Sequence, residues 1–241
     1  MDELAGRGHK VYVAAPSTQK SGSGKGVWLK ARVWEVSYPG AVRAWAVSST
    51  PASIVYMAVR ALLPEPPDYI VSGVNHGPNM GFEDFFTSGT IGAAIEGAFL
   101  GVPSIAASTT ERKVETPRVA YSAARIVSGI IGSLSEDERR TLKRESTVLI
   151  VNSPVNPRGV RAGFMAWNTY NVDVEIGGDT VYAVMDEEKI YDPDPPPGSD
   201  IWFIRKGYAV VTPVSLRAMW RGSSPEQLVS LLERIVENLR V

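Results

Sequence analysis

The hydrophobic pattern of the first 152 residues predicts strands and helices in alternation. Residues 9–15 (HKVYVAA) form a short β-branched and aromatic run closed by Pro16, the signature of a buried strand. A polar stretch, 16–26, follows. Residues 27–36 and 41–47 alternate well enough to predict two strands, with Tyr38-Pro39-Gly40 as the turn. Thr50-Pro51 offers a helix cap with proline at the first helical position, and Ile54, Val55, Ala58 and Leu62 continue at helical spacing. Pro64, Pro66 and Pro67 end that helix. Strands are then predicted at 68–72 (DYIVS), 103–108 (PSIAAS) and 147–152 (TVLIVN), and helices at 91–100, from Thr116-Pro117 to Leu134, and from a capping box at 135–138.

That order predicts an α/β fold: a Rossmann-like, largely parallel three-layer sandwich over residues 1–152. Residues 153–241 change character. An alternating run at 171–185 holds Gly177-Gly178, a hairpin signal, and 200–212 reads as another strand pair. Leu228, Leu231, Leu232, Ile235 and Leu239 mark one face of a closing helix. This part is expected to be a β-hairpin-rich appendage used for oligomerisation.

Composition narrows the function. A formal net charge of −1 gives no reason to expect a nucleic-acid polymer or an anionic membrane as partner. No apolar run approaches the roughly 18 residues of a membrane span. With no cysteine there is neither a thiolate metal site nor a cysteine nucleophile, which fits a cytoplasmic location.

The chemistry concentrates in residues 71–101, where a short apolar run passes through a loop rich in Gly, Asn, Ser and Thr into a helix. Free backbone N–H groups and the dipole at a helix start favour a phosphate or carboxylate. Ser88-Gly89-Thr90 fits such a site and equally fits a plain helix cap. Asn75 and Asn79 fit ligand or turn roles, His76 beside them an acid or phosphate donor, and Glu83-Asp84 a solvated loop tip. The segment 21–26 (SGSGKG) lacks the spacing of both the Walker A loop and the dinucleotide fingerprint, yet it follows a buried strand, where α/β proteins bind ligands. The six tryptophans are read as core or interface residues.

Several blocks together resemble the SurE (survival protein E) nucleotidases: Lys20-Ser21-Gly22, Ser49-Thr50-Pro51-Ala52, Ser72-Gly73-Val74-Asn75, Gly77-Pro78-Asn79-Met80-Gly81, Ser88-Gly89-Thr90 and Gly101-Val102-Pro103. The resemblance is dense to Ser108 and thinner beyond, with Val151-Asn152, Asp200 and Val211-Thr212-Pro213 still matching. It implies hydrolysis of nucleoside 5′- and 3′-monophosphates with one divalent cation, Mg²⁺ or Mn²⁺. It assigns Ser21 and Asn75 to the cation and Asn79, Ser88, Gly89 and Thr90 to phosphate, with His76 as an auxiliary. A homodimer or homotetramer is implied as well. The family's first strand and its Asn-Asp-Asp-Gly turn have no counterpart here, so the carboxylate pair of the family's site is missing and no catalytic residue is assigned. Met1 to Gly8 reads as the tail of a helix, so Met1 is expected to be internal to a longer natural chain, and the sheet is expected to be open at its middle. The alternative is a catalytically dead nucleotide or phosphate binder.

Overall fold

The structure is a computed structural model that describes residues 1–112, 117–170, 172–185 and 193–221, with 233, 236 and 237. The strands expected in the first 152 residues form, in two separate sheets. In the smaller sheet, β1 (Tyr12–Pro16) pairs parallel with β3 (Arg43–Val47), and β3 pairs antiparallel with β2 (Val33–Val36). In the larger, β4 (Ile70–His76), β5 (Ser104–Thr109) and β6 (Thr147–Ser153) run parallel. There β10 (Ala209–Ser215) lies antiparallel to β6, with the short β7 (Val160–Ala162) at the edge.

Side-chain period explains the layers. Ile105, Ala107, Leu149 and Val151 face one way, onto Ile126, Val127 and Ile130 of α5 (Tyr121–Ser133) and Leu142 of α6 (Glu136–Arg144). Ala106, Val148 and Ile150 face the other way, onto Ile91, Ala94, Ile95 and Ala98 of α4 (Gly89–Phe99). Helices cover both faces, so β5 and β6 are buried throughout and read as apolar runs between polar ends. Each fully buried Ile or Leu contributes about 1.5–3 kcal/mol of transfer free energy. The smaller sheet has a core of its own, in which Trp45 and Val47 pack on Ile54 of α2 (Pro51–Met57).

Among the described residues no ladder joins the two sheets. Between them lies a cleft of about 710 Å³, lined from one side by Tyr12 and Ala14 of β1 and from the other by Ile70 and Val71 of β4.

Elsewhere the pattern needs correction. Residues 27–32 are not strand; Leu29 is 91 % exposed, and Trp28 donates its backbone N–H to Ser53 Oγ at 2.6 Å. The helix after Pro51 ends in a π-helical turn, Ala58–Leu62. The hairpin is β8 (Val172–Gly177) and β9 (Thr180–Met185), so its loop is Gly178-Asp179, one residue later than predicted, with Gly178 taking φ +64°. The first half of the predicted 200–212 strand pair is a helix, α7 (Asp200–Arg205), because Ser199 caps it by accepting from Trp202 N–H. Its second half is β10, so two strands from beyond residue 152 complete the larger sheet. Among the tryptophans, Trp28, Trp34 and Trp167 are exposed. The predicted face from Leu228 to Leu239 lies outside the described residues.

Candidate functional site

The site forms where the carboxyl ends of β4, β5 and β6 meet the start of α4. Ser88 is the cap of α4: its side chain accepts from Ile91 N–H at 3.2 Å. That leaves the Gly89 and Thr90 amides without a backbone acceptor among the described residues, at the positive end of an 11-residue helix. The cap geometry is present, and the same helix start remains a candidate anion site.

The 21–26 loop is pinned against this helix end. Gly24 N–H donates to Thr87 O at 2.8 Å, and Lys25 Nζ meets Glu96 Oε2 at 2.5 Å. Gly92 permits the approach, since a Cβ there would lie 2.2 Å from the Gly24 carbonyl oxygen. A Cβ on Gly89 would fall 2.6 Å from Ser23 Oγ, a buried hydroxyl with no hydrogen-bond partner among the described residues. An orphaned buried hydroxyl beside unpaired amides is a cradle for an acceptor-rich group. Ser21 is exposed on the same loop and accepts from Gln19 Nε2 at 3.0 Å.

Asn75 and His76 belong to β4 itself, not to a loop beyond it. The β4–β5 register breaks between Ser72 and Asn75, and such a bulge re-aims a strand's side chains. Gly73, with φ +125°, makes the bulge feasible, because a Cβ there would sit 2.2 Å from Ala107 O. Asn75 Nδ2 donates to the carbonyls of His76 and Gly77 at 3.0 and 2.9 Å. Both amide hydrogens are thus committed, and the side-chain oxygen is turned away from them, available as an acceptor or ligand. His76 is exposed at the strand end.

Asn79 is buried deeper. Its Nδ2 donates to Ser108 Oγ at 2.6 Å, at the end of β5. Asn152, at the end of β6, clasps the Asn79 backbone from both sides, accepting from its N–H and donating to its carbonyl, each at 2.8 Å. Ser108 and Asn152 were not among the predicted site residues. The available signal was a polar side chain at the carboxyl end of a buried strand.

Residues 81–87 form a further helix, α3 (Gly81–Thr87), absent from the sequence reading. Asp84 is no solvated loop tip: it is 5 % exposed, accepts from Met80 N–H at 2.7 Å, and takes a short hydrogen bond from the Tyr170 hydroxyl. Glu83 likewise accepts from Tyr170 N–H. Asp200 accepts backbone N–H groups of Gly81, Ala166 and Ile201 at 2.8, 2.9 and 2.8 Å, tying α3 to the 166–170 segment and α7. Burial pushes the Asp200 carboxyl up to about 6, against the pull of those three donors. Burial and the bond to Asp84 push the Tyr170 phenol upward too.

The residues present can be tested against a divalent cation. Asn75 Oδ1 and Ser21 Oγ are neutral oxygens, and no cluster of three or more His, Cys, Asp or Glu side chains occurs among the described residues. Hard cations take six or more oxygens, with carboxylates usually prominent. The two residues do not by themselves fit such an ion.

Helix-flanked parallel strands, with a helix start beyond their carboxyl ends, define an α/β fold that carries a candidate anion site. The comparisons with known proteins specify it further. The family model described as Survival protein SurE matches residues 1–172, and the chain belongs to that family. It is 33 % identical over 214 residues to the 5′-nucleotidase SurE of Pelotomaculum thermopropionicum, covering 86 % of this chain and 79 % of that protein. It is also 33 % identical over 237 residues to the 5′-nucleotidase SurE of Prochlorococcus marinus, covering 90 % and 84 %. Among solved structures, the SurE protein from Aquifex aeolicus matches with a TM-score of 0.67 at 25 % identity, over 91 % of this chain and 87 % of that one.

Proposed function

We propose that this protein is a phosphomonoesterase that hydrolyses nucleoside 5′-monophosphates, and 3′-monophosphates, to nucleoside and inorganic phosphate. The observation that carries the reading is the α4 start, where the Gly89 and Thr90 amides and the nearby Ser23 hydroxyl have no hydrogen-bond partner among the described residues. The names of the relatives support the same substrate class. In the reaction, water adds to phosphorus, the P–O ester bond breaks, and the ribose oxygen leaves with a proton. The Gly89 and Thr90 amides and the Asn79 side chain hold the phosphoryl oxygens as charge builds on them. His76, exposed at the end of β4, is assigned as the auxiliary acid that protonates the leaving oxygen.

A divalent cation, Mg²⁺ or Mn²⁺, is part of the proposal by family membership, with Asn75 and Ser21 as two of its contacts. No cluster of three or more His, Cys, Asp or Glu side chains accompanies them among the described residues. Phosphate release from AMP with and without added Mn²⁺ tests the reading. Release that needs the cation and is lost on chelation is expected; AMP binding without release under any metal condition would leave only the binder alternative.

Self-association into a homodimer or homotetramer belongs to the same proposal. Its support is the β8–β9 hairpin, which carries Val174, Ile176, Val181 and Tyr182 at 54–76 % exposure. Light scattering of the whole chain tests it, and a monomer would refute it. Among the described residues no helix is long and apolar enough to cross a membrane.

A further inference from the structure

Among the described residues, Trp167, Phe82 and Phe86 form an aromatic cluster with two exposed members. Trp167 stacks on Phe82 of α3, with ring centroids 4.6 Å apart and planes 27° from parallel, yet stays 68 % exposed. One indole face is therefore used and the other open to solvent. Phe86, one helical turn beyond Phe82, meets it edge-on at 5.1 Å and is itself 55 % exposed. A packed aromatic pair ordinarily buries both rings, so an open stacked face marks a binding surface.

The surface is rigid. Phe82 N–H donates to Ala166 O at 2.9 Å, Ala166 N–H is held by Asp200 at 2.9 Å, and Tyr170 is bonded to Glu83 and Asp84. It is also continuous with the phosphate cradle. Asn79 precedes α3 by two residues, Ser88 follows it directly, and the Phe86 carbonyl abuts Gly24 of the 21–26 loop. From Phe82 to Ser88 the helix advances about 9 Å at 1.5 Å per residue, a distance of the order that separates the phosphate of a nucleotide from its base.

We propose that Trp167, backed by Phe82, is the nucleobase platform of this site, taking the base of a nucleoside monophosphate whose phosphate lies at the start of α4. The proposal rests on the nucleotidase reading for its ligand. Flat π-stacking with no base-edge hydrogen bonds implies tolerance: purines bind more tightly than pyrimidines through larger overlap, and a phosphate ester without a base gains nothing.

The test separates platform from chemistry by titrating the whole chain calorimetrically with adenosine alone and with inorganic phosphate alone. Trp167→Ala is expected to weaken adenosine about tenfold or more, the range of base–aromatic stacking, and to leave phosphate unchanged; Trp167→Phe is expected to retain most of the adenosine affinity. Where hydrolysis is measurable, Trp167→Ala raises KM for AMP by a similar factor and leaves ribose 5-phosphate unaffected. Equal adenosine affinity in both proteins overturns the proposal, as does no adenosine binding to the wild type. Parallel loss of adenosine and phosphate also overturns it, since Trp167 would then support the site's structure. A changed oligomeric state with unchanged adenosine affinity would make the patch a subunit contact. Absence of phosphate release, with adenosine binding still dependent on Trp167, refutes the hydrolase reading and leaves the platform standing.

Discussion

Asp200 holds α3 in place from beneath, and its titration gives a quantitative handle on that link. Its carboxyl accepts from three backbone amides, while burial pushes it from 3.8 up to about 6. A carboxyl raised on folding binds its proton more tightly in the native state. The stability this confers is fully present below the unfolded value of 3.8 and is lost as pH rises through about 6. Roughly two pH units at 1.36 kcal/mol each make the loss about 3 kcal/mol. Asp200→Asn removes the titration and keeps the shape. Its amide group also confronts a backbone N–H, Gly81 or its neighbours, at a cost of about 1–3 kcal/mol at every pH. The two effects separate cleanly, one as an offset and one as a slope. Urea unfolding of both proteins from about pH 4 to about pH 7 should show the difference moving in favour of the variant by about 2.4 kcal/mol, since part of the loss is already incurred at pH 4. A difference that stays flat within about 1 kcal/mol would show that the three N–H donors fully offset burial, and the reasoning would fail.

Other perturbations probe the cradle directly. Ser88→Ala removes the α4 cap and should cost about 1 kcal/mol, seen as a melting point lower by about 2–4 °C, with weaker phosphate binding in the same sample. Gly92→Ala places a methyl 2.2 Å from Gly24 O, so the 21–26 loop must shift; a loss of about 1–3 kcal/mol in thermal unfolding is expected, together with a large fall in phosphate affinity. Lys25→Met strands Glu96, whose side chain is only 10 % exposed, and should cost about 2 kcal/mol in urea after allowing for the partly exposed lysine. The double variant Lys25→Met/Glu96→Leu should recover most of that, and no recovery would mean the pair is not the source of the loss.

Hydrophobic periodicity carried the fold where packing is two-sided. The runs that became β5 and β6 were legible because helices cover both their faces, so their middle positions are all apolar. Local hydrogen-bond chemistry was legible as well: Thr50, Ser88 and the Ser135–Glu138 capping box sit where their side chains satisfy helix-end amides. What escaped the sequence depends on distant partners. Asp84 reads as a loop carboxylate until Tyr170, 86 residues away, closes over it, and α3 forms only because Asp84 and Asp200 satisfy amides at its start. Residues 200–205 carry a strand-like apolar run that Ser199 and its cap convert to helix. Within the site, Ser88 to Thr90 and Asn79 were legible as a group, whereas Ser108 and Asn152 were hidden as the polar ends of apolar runs.

The packing of α2 on α4 has a consequence for coupling. The three-stranded unit with α2 has its own small core, and it is joined to α4 through α2–α4 packing and the Gly24 and Lys25 bonds. A ligand that orders the start of α4 is therefore felt in the smaller sheet, and its binding slows amide exchange in β1 and β3.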